Sequence, residues 1–359
     1  MVIRHSPRRP RLCFVSPMVG RHPGYIPTPG QILADLFAGA GYEVIATSSA
    51  LNRYLRLTDI VQTIARHRNR IDLLVIDVFG GRSFVGEDAA SWLGRLLGKR
   101  VVMNLHNGTF PKFIARFPDW SRRVLSRADA LVAPSPFLPR AVAPMGLRVG
   151  IVPNVIDLSN YQYRRRDGVR PRLFWMRSFY PYYNPAMAVR VLARLRASVP
   201  DATLVMAGQD KGVKGEVERL AASMGLNGAV RFPGFLDVEA KRREASAADI
   251  FLNTNNEDNM PVSVIEAGAM GLPVVATEVG GIRDLLTHEE NALLVPDNDV
   301  EAMTEAVRRL LNEPSLAGRI SENGRRLAER SSWEQVLPQW ESVFEKAMAG
   351  SGGHARRLN

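Results

Sequence analysis

The chain of 359 residues has one cysteine, Cys13, which excludes an internal disulfide. Its setting in the apolar stretch RLCFVS reads as inert core, not as a nucleophile. Six histidines are scattered without ligand spacing, so no metal site is assigned. No run of 18 apolar residues occurs, and no membrane-spanning helix is expected. The opening MVIRHSPRRPR is basic but lacks the apolar stretch of a secretory signal, which makes a cytoplasmic location the expectation. No G-x-G-x-x-G follows an apolar strand, which argues against a nicotinamide-dependent dehydrogenase. Zinc-finger, RNA-recognition and helix-turn-helix patterns are also lacking, so nucleic acid is not an expected partner. There is no internal repeat.

What is there begins with size and charge. The length suits two domains, and 46% hydrophobic residues suffice for two cores. Residues 1 to 160 hold 21 Lys and Arg against 10 Asp and Glu, whereas the rest is balanced at 26 against 26. The whole excess of +11 therefore sits in the first half. Either the composition is simply arginine-rich, or this half meets an anionic partner such as a membrane surface, a lipid pyrophosphate or an acidic glycan.

Apolar strands at 11–16, 42–47, 73–79, 101–106 and 130–134 alternate with helical stretches, which predicts βαβ units and a parallel sheet. A Gly- and Pro-rich loop with Gly24 and Gly30 follows the first strand and leads to a helix over 31–40. His106 and Asn107 stand at the end of the fourth strand. The basic, aromatic segment 110–120 contains Pro111 and Pro118 and reads as a loop packed on the core. The polar stretch 161–171, YQYRRRDGVRP, reads as a hinge. Strands at 173–177 and 203–207 open a second domain, with Arg177 at the end of the former and Lys211 after the latter. The stretch VRFPGF contains Phe232 and Gly234.

The densest pattern is EDNMPVSVIEAGAMGLPVVATEVGG, residues 257–281. A strand over 249–254 ends at Glu257 and Asp258, Pro261 then opens a helix bearing Glu266, and a second strand ends at Gly280 and Gly281. Ligands in such sheets bind beyond the strands' carboxyl ends, and a helix N-terminus there suits a phosphate. This order and spacing resemble the signature of retaining, nucleotide-sugar-dependent glycosyltransferases of the glycogen-synthase-like type, family 4. ADALVAPSPFL and VPNVID resemble the same family.

The resemblance implies an α/β GT-B fold, two Rossmann-like domains facing a central cleft with a C-terminal helix crossing back to the first. Residues 1–160 with 333–349 would form the acceptor domain, 161–332 the nucleotide-sugar domain, and 350–359 a flexible tail. Trp333, Trp340 and Phe344 would pack the crossing helix. It implies that Arg177 and the N–H groups of Val262 and Ser263 hold the donor diphosphate, and that Glu266 holds the ribose. Asp258, with the N–H groups of Asn259 and Met260, would hold the sugar. Phe232 and Gly234 would wall the base. Gly24, Gly30, His106 and Asn107 would lie on the acceptor side, with His106 near the reacting centre.

Three departures stand out. Tyr182 replaces a family Lys, for which Lys211 is a candidate substitute. Asp258 is one methylene shorter than the usual Glu, and Pro261 removes one N–H. The implied reaction is metal-independent hexosyl transfer to a glycan, lipid-linked or small-molecule acceptor, with no cofactor. A peripheral position on the inner face of an anionic membrane, through Arg122, Arg123 and Arg127, is the accompanying expectation. Two alternatives are a degenerate GT-B protein that binds a nucleotide sugar or a partner transferase without turnover, and a nucleotide-sugar isomerase. The isomerase would need a further carboxylate in the first domain, for which Asp77 is the main candidate.

Overall fold

The computed structural model describes residues 9–22, 24–25 and 27–350. The expected tail beyond Gly350 and the first eight residues of the basic leader lie outside them. The chain divides into two compact units, 1–155 with 336–359, and 156–335.

The first unit runs β1 (Leu12–Val15), α1 (Pro29–Gly39), β2 (Val44–Thr47), α2 (Arg53–Arg66), β3 (Leu73–Val78), α3 (Phe84–Leu96), β4 (Arg100–Leu105), α4 (Phe110–Arg116), α5 (Pro118–Leu125), β5 (Ala130–Ala133), α6 (Phe137–Val142) and β6 (Val149–Ile151). Its strands pair in parallel in the order β2-β1-β3-β4-β5-β6. β1 and β3 are buried along their whole length, as strands covered on both faces must be, which is why they read as unbroken apolar runs. Thr28 caps α1 by accepting from the Gln31 N–H, with Pro29 in the first turn, where its missing donor costs nothing.

The segment 110–120, expected as a loop, is two short helices. Pro111 and Pro118 each occupy a first turn, so they start helices instead of preventing them.

The second unit runs β7 (Arg172–Met176), α7 (Pro185–Arg196), β8 (Thr203–Ala207), α8 (Lys214–Ser223), β9 (Val230–Gly234), α9 (Val238–Ala247), β10 (Ile250–Asn253), α10 (Val262–Ala269), β11 (Val274–Thr277), α11 (Ile282–Leu285), β12 (Leu293–Val295), α12 (Val300–Asn312) and α13 (Pro314–Glu329). Its parallel order is β12-β11-β10-β7-β8-β9. The expected hinge, 161–171, is fastened to this unit. Arg166 is fully buried and donates to the carbonyls of Ala245 and Met270, while Arg164 and Arg170 bind the buried Asp249. Carbonyl groups at the ends of α9 and α10 need donors, and a charged strand of chain supplies them.

The last helix, α14 (Trp333–Ala349), encloses Pro338. From Val336 on it belongs to the first unit, where Phe344 lies 5.2 Å from Phe37 and Tyr42 donates to Glu341. Trp340 and Phe344 are buried core residues, and Trp333 is half-buried. Burial pushes the Cys13 thiol up to about 12, as befits an inert core residue.

Candidate functional site

In the second sheet, β7 leads one way to β8 and β9, while β10 leads the other way to β11 and β12. The order reverses between β7 and β10, so the loops after these two strands diverge and leave a crevice at their carboxyl ends. Arg177 follows β7 and residues 254–261 follow β10.

The two loops are tied together. Arg177 Nη2 donates to Asp258 Oδ2 at 2.5 Å, and its guanidinium lies 4.0 Å from the centre of the Tyr183 ring. Trp175 Nε1 donates to Thr254 Oγ1, which donates to the Tyr183 carbonyl. Tyr182, at the place of the family's Lys, accepts from the Asn256 N–H through its own carbonyl. Its ring lies 4.3 Å from Tyr180 and 4.5 Å from Tyr183. This position therefore braces the acidic loop where the family pattern supplies a cation.

Asp258 also accepts from Asn255 Nδ2 at 2.6 Å and from the Asn259 N–H at 2.8 Å. That N–H, expected on the sugar, is thus used by the short Asp side chain, which stays close to its own backbone. Burial pushes the Asp258 carboxyl above its ordinary range, against the pull of Arg177 and these donors. Burial lowers Arg177 in turn, but Asp258 together with the neighbouring Tyr183 and Tyr182 offsets this and holds it above the usual guanidinium value. Glu266 adds to the same field.

Gly280, with φ of +50°, seats the loop from the other side. A Cβ there would fall 2.1 Å from the Asp258 carbonyl, which the neighbouring Gly281 N–H meets at 3.0 Å. Only glycine fits this approach.

Pro261 is the N-cap of α10 and stands just before the helix, not within its first turn. It offers no side-chain acceptor, so the N–H groups of Val262 and Ser263 are uncapped. Met260 beside it is buried. Ser263 Oγ, Arg177 Nε and Asn255 Oδ1 are buried without a hydrogen-bond partner. Orphaned polar atoms gathered at one helix N-terminus are costly unless a ligand completes them.

Further along α10, Glu266 Oε1 accepts from Tyr161 OH at 2.6 Å and from Lys241 Nζ at 2.6 Å. Neither partner was legible in the sequence. Lys241 lies in the mostly charged α9, and Tyr161 in a stretch that read as linker. Lys241 is the cation the fold brings to this carboxylate. Lys211 is exposed after β8, its N–H bonded to the Phe179 carbonyl. Phe232 and Gly234 close β9, where the Phe232 ring lies 6.1 Å from Phe179 and the Gly234 carbonyl accepts from the Gly208 N–H.

The first sheet has its own reversal, between β1 and β3. Asp77, buried at the end of β3, accepts from Ser16 Oγ at 2.6 Å, from His106 Nε2 at 3.0 Å and from Asn104 Nδ2 at 3.4 Å. His106 stacks on Phe79 at 5.2 Å, and Asn107 Nδ2 donates to the Phe79 carbonyl. Gly30, in the first turn of α1, lets the Asp77 carboxylate approach where a Cβ would lie 2.1 Å from Oδ2. Gly24 has φ of +79° in the preceding loop. Asp77 thus holds His106 through one ring nitrogen.

Residues 164–327 match the family model of glycosyl transferases group 1. The chain is 31% identical over 212 residues to an MMP α-(1→4)-mannosyltransferase of Mycolicibacterium hassiacum, covering 58% of this chain and 50% of the relative. It is 28% identical over 172 residues to a D-inositol 3-phosphate glycosyltransferase of Jonesia denitrificans, covering 46% and 41%. The chain thus spans half or less of the length of these relatives. Sucrose-phosphate synthase of Thermosynechococcus elongatus superposes with a TM-score of 0.78 at 19% identity, over 95% of this chain and all of that one. HepE of Anabaena, solved with UDP and glucose, gives 0.76 at 15% identity over 94% of this chain and all of that one. The fold is therefore GT-B, and the match to the group 1 glycosyl transferase model falls wholly within the second unit.

Proposed function

We propose that the protein transfers a hexose from a nucleoside-diphosphate sugar to an acceptor with retention of configuration and without a metal ion. The observation that carries this is the set of buried, unpartnered donors, Arg177 Nε and Ser263 Oγ, beside the uncapped N-terminus of α10. A diphosphate satisfies all of them, and Glu266 further along the helix accepts from the ribose hydroxyls. Asp258 and the Met260 N–H hold the sugar, Phe232 and Gly234 wall the base, and Lys211 and Lys241 are the cations nearest in sequence or contact to replace the family Lys. HepE's complexes with UDP and UDP-glucose support a donor of this class.

In the proposed reaction the bond between the anomeric carbon and the diphosphate breaks as the acceptor oxygen bonds to the same face. The departing phosphate oxygen takes the acceptor's proton. Arg177 and the helix N-terminus carry the charge that develops on the diphosphate, a task that needs fixed donors more than a nucleophile. The acceptor, a glycan, a lipid-linked sugar or a small molecule, meets Gly24, Gly30, His106 and Asn107 in the first unit.

An isomerase reading needs Asp77 as a free acid or base. With three donors on a carboxylate whose side chain is 1% exposed, Asp77 is committed to structure. A binder without turnover is the second reading, favoured by Tyr182 at the cation's place and by the closed Arg177–Asp258 pair. Thermal shift against UDP-, GDP- and ADP-sugars tests donor binding. Specific stabilisation, lost in Glu266→Gln, is expected, and no response across the panel sinks the reading. Release of nucleoside diphosphate with acceptor present, and an axial or equatorial product bond matching the donor's, separate transferase from binder.

A further inference from the structure

In the first unit, α2 and α3 cover the same face of the sheet. Each connects the carboxyl end of one strand to the start of another, so the two helices run in the same direction, side by side. Gly86 of α3 lies against Ile60 of α2. Their inner faces bury Ile60, Ile64, Phe84 and Ala90 in the core.

Their outer faces carry large apolar side chains in water. Tyr54 is 65% exposed and Leu55 63% on α2, while Val85 is 50%, Trp92 56% and Leu96 65% exposed on α3. Residues 85, 92 and 96 fall on one stripe of a helix, seven and four residues apart. Leu51, just before α2, and Val61 on its second half extend the patch. Clustered exposure of this kind marks a surface that is covered in use.

The charge on the same two helices has one sign. Arg53 and Arg66 are exposed on α2 and Arg82 precedes α3, while Arg95 of α3 pairs with Asp129 at 2.9 Å. Every carboxylate of α2 and α3 is turned inward or tied. Asp59 faces Thr47 and Thr63, Glu87 is buried, and Asp88 is held by Trp120 and Arg127. By contrast Arg127, one of the three arginines expected to touch a membrane, is spent on Asp88 and Ser91, and Arg123 also leans on Asp88. Among the described residues no helix is long and apolar enough to cross a bilayer.

We propose that the outer face of α2 and α3 docks in the plane of an anionic lipid bilayer. Tyr54, Leu55, Trp92 and Leu96 enter the headgroup boundary, while Arg53, Arg66 and Arg82 meet lipid phosphates. Tyr and Trp favour this boundary because their rings are apolar with a polar edge, and basic residues add attraction to anionic headgroups. The N-terminal ends of both helices lie at the carboxyl edge of the sheet, where Ser16, Asp77 and His106 gather. An acceptor sugar on a lipid would reach that edge without leaving the membrane. This last point rests on the proposed transferase reading; the docking itself does not.

The test is co-sedimentation of the full chain with phosphatidylglycerol/phosphatidylcholine vesicles and with phosphatidylcholine alone, at low and physiological salt. Binding to the anionic vesicles is expected to fall about tenfold or more in Tyr54→Ser/Leu55→Ser/Trp92→Gln/Leu96→Gln, since four apolar anchors are lost. These side chains are exposed, so Tm and the nucleotide-sugar thermal shift should be unchanged. Quenching of Trp fluorescence by brominated lipid should disappear in Trp92→Gln. Wild-type protein that ignores anionic vesicles at low salt overturns the proposal. So does loss of binding in Arg122→Glu/Arg123→Glu with the four apolar changes silent, which would move the contact to α5. Self-association abolished by the same four changes, without lipid binding, would make the occupant a second copy and overturn it too. A failed nucleotide-sugar panel with intact vesicle binding would sink the transferase reading alone.

Discussion

Replacing Arg177 with Met isolates the electrostatics of the acidic loop. The pair is mostly buried, with side chains 17% and 10% exposed, and Asp258 keeps only the Asn255 amide and the Asn259 N–H once the guanidinium is gone. Removing one partner of a buried pair typically costs about 3 kcal/mol at neutral pH. For a unit of this size that is a fall in Tm of roughly 6–12 °C. The cost has a pH signature. Burial already raises Asp258 in the folded state, and loss of Arg177 raises it further. A carboxyl whose folded pKa lies above its unfolded value contributes stability below the unfolded pKa, and that contribution disappears as pH rises through the folded pKa. The deficit of Arg177→Met should therefore shrink as pH falls toward about 4. Differential scanning calorimetry of wild type, Arg177→Met, Asp258→Asn and the double variant, from pH 4.5 to 8, closes the cycle. The double variant should recover most of the stability at neutral pH but none of the nucleotide-sugar response. A deficit independent of pH, or single effects that simply add, would refute the reasoning.

Three further outcomes are expected. Glu87 is buried, and desolvation pushes its carboxyl up to about 8 despite hydrogen bonds from the Phe79 N–H and Ser83. Its raised pKa means stability that is full below the unfolded value and is lost as pH rises toward 8, on the order of 5 kcal/mol in all; denaturant melts should show Glu87→Gln flattening this slope, and an unchanged slope would contradict it. Gly280→Ala places a methyl against the Asp258 carbonyl at a left-handed φ and should cost more than about 2 kcal/mol together with donor binding. Gly39→Ala, in open space at the end of α1, should be neutral or stabilising by up to about 1 kcal/mol, and equal effects at the two sites would rule out the steric account.

The sequence by itself determined the central strands of both sheets, because parallel strands buried on both faces must be written as unbroken apolar runs, but not β6, a short and mostly exposed edge strand. It also determined the places of Arg177, Asp258 and Glu266, which stand at strand ends or one helix turn beyond them. Local grammar decided these, and local grammar is what a sequence spells out. It misread the proline-bearing segment 110–120, since Pro is tolerated in a first helical turn, and it gave no sign that Arg166 of the 161–171 stretch buries against helix-end carbonyls. Only the tertiary structure decided the partners. Lys241 and Tyr161 come to Glu266 from 25 and 105 residues away, Ser16 and His106 come to Asp77 from 61 and 29, and Asn104 joins them from the neighbouring strand. Such contacts follow from strand order. The reversal between β7 and β10, and between β1 and β3, sets which loops adjoin, and no local pattern of residues records it. The one-signed outer face of α2 and α3 has the same origin, because packing decided which of their carboxylates turn inward.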